Sequence, residues 1–268
     1  MNLGSVFRSL TLMSLVALST IGLLIPTAPN LDKGLMISPE YLPGMLSGAR
    51  SSGPLFSELA LARFNLVGTM VYGSDDPHRW ELVTKWILAA HATGFRTFVN
   101  LYGDGKNVST VAEFTRLAAS TGTDIVALDE VISIFNMTQP QLEAVIETGL
   151  TVNPKLRFIV NEWSPDHIGE AYEWTAKYAS VSVATDNYYD KTVIDLGIQL
   201  AVQYGKRPIS WLIFVKGSQD FDCSKNLDDW IAYVEMRQIG AMFWAIDTAG
   251  TWTSQWSKVV AFDPLLYA

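Results

Sequence analysis

The chain has 268 residues, of which 49% are hydrophobic and only 17% charged, and this excludes an intrinsically disordered polymer, a class poor in apolar residues and rich in charge. A net charge of −8 without any run of Lys and Arg excludes tight binding to a nucleic-acid backbone. A single cysteine, Cys223, and three scattered histidines (His78, His91, His167) exclude a disulfide framework and the usual zinc ligand spacings, so neither a metal nor a cofactor is expected.

Residues 1–29 read as an address. Met1 to Arg8 carries one positive charge, Leu10 to Ile25 is an apolar run, and Thr27-Ala28 supplies small residues before Pro29. That order describes a secretory signal peptide. The run of about sixteen residues falls short of the roughly twenty that span a bilayer, and the alternative is an uncleaved N-terminal anchor, the one route by which a membrane would be a partner. Cleavage near residue 28 removes Arg8 and takes the net charge from −8 to −9. A secreted or cell-surface protein is expected. Two sequons, at Asn107 and Asn136, are compatible with export.

From residue 30 to 268 one strand–helix unit recurs. Apolar, strand-like runs lie at Gly34–Ser38, Asn65–Tyr72, Arg96–Tyr102, Asp124–Glu130, Arg157–Trp163, Val181–Tyr188, Pro208–Lys216 and Gly240–Asp247, each bounded by Gly, Pro, Asn or Asp. Their starts recur about every 30 residues, the length of a strand, a helix and two loops. Between them, Trp80 to His91 has apolar residues at helical spacing and ends at Thr93-Gly94. Ser109 suits the N-cap of a helix over Val111 to Ala119, and Asn153-Pro154 closes the helix that starts near Gln139. Eight such units make a single (β/α)₈ TIM barrel, an α/β fold of about 250 residues. The rival, a doubly wound open sheet, prefers a glycine-rich phosphate turn after its first strand; here that place holds Ser38-Pro39-Glu40-Tyr41.

Barrel enzymes work at the C-terminal ends of their strands. Polar and aromatic residues crowd those ends: Tyr72, Tyr102 and Asp104, then Asp129-Glu130, Asn161-Glu162-Trp163, Asp186-Asn187-Tyr188-Tyr189, and Trp244 with Asp247. Strand alternation puts Ile125, Ala127 and Asp129 on one inward face and Ser182, Ala184 and Asp186 on another, with Ala245 also expected inside, while Glu130 at the rim is open to either direction. Carboxyl groups around a mouth rich in Trp and Tyr suit glycoside hydrolysis, in which one carboxylic acid protonates the leaving oxygen and a second carboxylate serves as nucleophile or base. Glu130 is read as the general acid/base and Asp129 as the group that orients substrate, with Asp186 or Glu162 as the second carboxylate. Glu162 is also the chief rival for the proton-transfer role. Tyr72, Tyr102, Asn161, Trp163, Tyr188, Trp244 and Asp247 are the candidate substrate-binding residues.

Strand eight, Gly240-Ala-Met242-Phe-Trp244-Ala-Ile-Asp247, resembles the last barrel strand of the family-eighteen chitinases, and the resemblance implies a Trp244 lying under the scissile sugar. The end of strand six, Asp186 to Asp190, is loosely similar to that family's Tyr-Asp pair. Strand four departs from it: Val126 and Leu128 stand where the chitinase pattern places acids. Asp124-Ile-Val-Ala-Leu-Asp129-Glu130 instead resembles the fourth strand of polygalactosaminidase-like and spherulin-like barrels. Its adjacent acids also resemble the catalytic pair of the hexosaminidases, which implies an acetamido-orienting Asp129 and a proton-transferring Glu130. Asn161-Glu162 resembles the acid/base pair of the large retaining glycosidase clan, displaced by one strand, and Lys216 rather than Glu ends strand seven, where that clan keeps its nucleophile. Two readings follow. One is an exported glycoside hydrolase acting on an extracellular polysaccharide or glycan, with carbohydrate as its partner. The other is a catalytically inactive barrel that binds carbohydrate or contributes structure at the cell surface.

Overall fold

In the computed structural model, residues 32–48, 55–72, 76–102, 107–186, 191–215 and 227–246 are described. Eight parallel strands, β1 (Lys33–Ile37), β2 (Leu66–Tyr72), β3 (Arg96–Tyr102), β4 (Ile125–Asp129), β5 (Arg157–Glu162), β6 (Val181–Asp186), β7 (Ile209–Val215) and β8 (Gly240–Ile246), pair in sequence order and close into a barrel. Closure comes from β8 lying beside β1, with Gly34 opposite Met242 and Leu35 opposite Phe243. Each strand falls within one or two residues of the sequence expectation, and the open sheet is excluded.

Alternation along the strands builds two apolar layers. Met36, Leu66, Met70, Phe98, Ile125, Ala127, Ile159, Ala184, Ile209 and Met242 fill the inside of the barrel. The residues between them, such as Leu35, Val67, Val99, Val126, Val160, Val183 and Phe243, face the helices in a larger outer layer. Ser182 is also buried. The expected interior position of Ala245 concerns a side chain outside the described residues. Gly68 marks a close approach within the barrel, because a Cβ there would lie 2.3 Å from the Phe98 ring.

The helices are α1 (Leu42–Ser47), α2 (Phe56–Leu61), α3 (Pro77–Ala92), α4 (Val108–Ser120), α5 (Gln139–Val152), α6 (Pro165–Trp174), α7 (Lys191–Gln203) and α8 (Leu227–Arg237). Their starts follow side-chain chemistry. Asp76 Oδ1 accepts from the His78 amide, and Ser164 Oγ from the His167 amide, each ahead of a proline in the first turn. The start of α4 corrects the expectation of a Ser109 cap. Asn107 caps it, accepting the Thr110 amide at 3.0 Å, while Ser109 lies inside the first turn and donates its hydroxyl to Asn107. The carboxamide oxygen reaches the exposed amide from two residues further back, which lengthens the helix accordingly.

The N-terminal ends of the strands are tied by polar contacts. Asp124 accepts the Thr97 amide at 2.7 Å and contacts His91 Nε2 at 2.9 Å. Lys206 Nζ donates to the carbonyls of Thr175, Tyr178 and Val181, which joins the end of α6 to the start of β6. Arg96 pairs with Asp32. Among the described residues no helix is long and apolar enough to cross a membrane; the Leu10–Ile25 run lies outside them.

Candidate functional site

The described part of the candidate site spans the C-terminal ends of β3, β4 and β5. Register aligns Tyr102 with Asp129 and Asp129 with Asn161 across these neighbouring strands. Asp129 continues the inward row of Ile125 and Ala127, and its side chain ends between two carboxamides. Asn100 Nδ2 donates to Oδ2 at 3.0 Å, and Asn161 Nδ2 donates to Oδ1 at 2.7 Å. All three residues are buried. Burial pushes the Asp129 carboxyl above its usual range, while the bonds from Asn161 and Asn100 pull the other way. Tyr102 packs against the inner apolar layer directly beside this row.

Asn100 escaped the sequence reading. Its signal was present as one polar residue between Phe98 and Tyr102 in the inward row of β3. Once both Asp129 oxygens are satisfied, the Asn100 Oδ1 remains as a buried acceptor without a hydrogen-bond partner among the described residues. Buried acceptors of this kind are rare, and they mark places where a water or a ligand donor completes the network.

Glu130 leaves the strand in a way sequence alternation does not describe. Its amide still donates to the Asn161 carbonyl at 2.8 Å, which extends the β4–β5 ladder by one rung. Its φ is +54°, in the left-handed region that glycine favours, and the residue is buried at 5% exposure. Its carbonyl then accepts the Ile134 amide at 2.8 Å, which starts a tight turn over Val131–Phe135. A glutamate held in this conformation costs about 1–2 kcal/mol, and backbone strain of that kind gathers at functional sites.

Glu162 ends β5, as expected, on the face turned away from the barrel interior. Alternation along β5 puts Ile159 and Asn161 inside the barrel and Phe158, Val160 and Glu162 on the outer face. Its carboxyl lies under the turn after β4, where Oε1 accepts the Ile132 amide at 2.7 Å and Oε2 the Ser133 amide at 3.3 Å. Desolvation pushes this fully buried group up to about 7, against the pull of those two amides and the Ser133 hydroxyl; the nearby Asp129 charge adds a smaller upward push.

The structure thus brings together Asp129, Glu130, Asn161 and Tyr102, adds Asn100, and sets the Glu162 carboxyl behind them. Trp163 follows β5 half-buried, ahead of the Ser164 cap. Asp186 and Trp244 lie on β6 and β8, and Tyr72 ends β2, but their side chains are outside the described residues, as are Tyr188 and Asp247 altogether.

No protein-family model and no curated protein matches the chain. Similar solved structures are barrels of distant sequence. The GH53 catalytic domain of Ignisphaera aggregans superimposes with a TM-score of 0.57 at 15% identity, covering 82% of this chain and 87% of its own. A GH18 chitinase from Pseudoalteromonas aurantia gives 0.53 at 12% identity, over 84% of this chain and 99% of its own. The HpcH/HpaI aldolase of Desulfitobacterium hafniense gives 0.52 at 11%, over 86% and 94%. Two glycoside hydrolases and an aldolase share this architecture with the chain, so the likeness establishes a TIM barrel and leaves the chemistry to the site.

Proposed function

We propose that the protein is an exported glycoside hydrolase acting on an extracellular polysaccharide or glycan. The observation that carries this reading is the Asp129-Glu130 pair at the catalytic end of β4. One acid is buried and gripped by two carboxamides; the next is held in a left-handed backbone conformation at the strand end. In the proposed reaction Glu130 gives a proton to the glycosidic oxygen as the bond from that oxygen to the anomeric carbon breaks, so the leaving sugar departs as an alcohol. Asp129 orients the substrate or steadies the positive charge developing at the anomeric carbon, and Asp186 supplies the second carboxylate. Water then adds its oxygen to the anomeric carbon and returns a proton to the carboxylate pair. Tyr102 and Trp163, with Tyr72, Tyr188 and Trp244, offer flat faces for sugar rings, and Asp247 offers a hydroxyl acceptor.

The TIM-barrel fold, which GH53 and GH18 glycoside hydrolases also have, accommodates this reading and selects no sugar. The test is a screen of the exported form on a panel of polysaccharides, including amino-sugar polymers, with reducing-end release as the readout. Hydrolysis of one substrate that Glu130→Gln abolishes supports the proposal. Saturable binding without release of reducing ends, unchanged in that variant, replaces it with a carbohydrate-binding barrel.

A further inference from the structure

The proposed acid/base residue sits on a backbone that its own residue type disfavours, and the surrounding chain has to hold it there. Glu130 has neither the missing Cβ of glycine nor the short amide of asparagine, the two devices that make a φ of +54° easy. The turn that begins at its carbonyl is closed by the Ile134 amide on one side and by the Met137 amide reaching Val131 on the other. Val131, Ile132 and Met137 are buried, which anchors the turn laterally. The Ile132 and Ser133 amides of the turn both end on one side chain, that of Glu162, thirty residues away in sequence. Glu162 in turn neighbours Asn161, whose carbonyl takes the Glu130 amide and whose side chain holds Asp129.

We propose that Glu162 is a positioning residue for Glu130: its buried carboxyl holds the Val131–Phe135 turn through two backbone amides and thereby fixes the left-handed geometry that carries Glu130 at the barrel mouth. This rests on the reading of Glu130 as the acid/base group, and it removes Glu162 from the pair of candidate second carboxylates. The chemistry fits the task. A carboxylate is acceptor-only, so both of its oxygens serve amide donors at once. A glutamine presents one oxygen and one amino group, and the amino group would face the Ser133 N–H, donor against donor.

The test is hydrogen–deuterium exchange of the full-length protein at pH 8, compared between the wild type and Glu162→Gln, with kinetics on any substrate the wild type hydrolyses. Exchange of residues 131–137 is expected to rise on the order of ten-fold in the variant, while β2 and β3 keep their protection and the thermal transition remains cooperative. Turnover is expected to fall by roughly 10–100-fold with KM within about two-fold, the pattern of a misplaced reacting group. In a Glu130→Gln background, Glu162→Gln should lower kcat no further, because its effect passes through Glu130. Unchanged protection of the turn, or losses in kcat that add independently, overturns the proposal. The exchange measurement needs no substrate, so a loosened turn in a protein that hydrolyses no glycoside leaves the hold of Glu162 on the turn and on the Glu130 backbone standing and removes the glycosidase reading alone.

Discussion

At the scale of single residues, the β4–β5 end holds two carboxyl groups, those of Asp129 and Glu162, that burial pushes above their usual range. Glu130→Gln is nearly isosteric, so it should leave the thermal transition in place while lowering turnover by roughly 10²–10⁴-fold, the usual worth of a positioned acid. Steady-state kinetics beside a melting curve checks both halves. Glu162 carries a pH signature of its own. Its folded value of about 7 lies above the 4.5 of the unfolded chain, so its contribution to stability is fully present below pH 4.5 and is lost as pH rises through about 7. The gap corresponds to about 3 kcal/mol at about 1.4 kcal/mol per pH unit. Burial moves Asp129 in the same direction. Urea unfolding between pH 5 and 8 should therefore show wild-type stability falling with pH, and a shallower fall in Glu162→Gln. A slope identical in the two proteins would mean that Glu162 is already ionised at pH 5.

At the scale of elements, the barrel is held by close approaches between strands and by polar clamps at the end away from the mouth. Gly68 gives its side-chain space to the Phe98 ring from the neighbouring strand. Gly68→Ala should cost about 1–3 kcal/mol through overpacking, and Phe98→Leu in the same chain should recover part of it, a pattern that thermal unfolding of the two single variants and the double variant resolves. Lys206 works differently. Its ammonium group satisfies three carbonyls around the end of α6, a place that also favours positive charge. Lys206→Met keeps most of the apolar stem and removes the donors, so a loss of about 1.5–3 kcal/mol with unchanged catalysis is expected. This clamp and the candidate site lie at opposite ends of the strands, which is why stability and activity should separate there.

At the scale of the whole molecule, the remaining proposal is export. The apolar run at Leu10–Ile25 followed by Thr27-Ala28 motivates cleavage near residue 28, and N-terminal sequencing of protein recovered from the medium should read a new terminus close to Asn30. An intact Met1 recovered with membranes would assign an anchor instead. Either outcome leaves the barrel untouched, since its strands begin at Lys33.

The sequence by itself determined the eight strands, their order and the inward direction of Asp129. Those features rest on local signals: alternation with a period of two, helical spacing between strands, and turn residues at each boundary. Because a parallel strand–helix repeat has few ways to close, the barrel follows from the same local pattern. What tertiary structure alone decided are the relations between residues about thirty positions apart. The left-handed backbone at Glu130 depends on a turn held from β5, and nothing in Leu-Asp-Glu-Val announces it. The place of Glu162 depends on which face of β5 meets that turn, although its sequence, an acid between Asn and Trp, suits a sugar site equally well. Asn100 lay between the two cases. Its alternation was visible, but the bond to Asp129 exists only because register sets β3 against β4, and register is a property of paired strands.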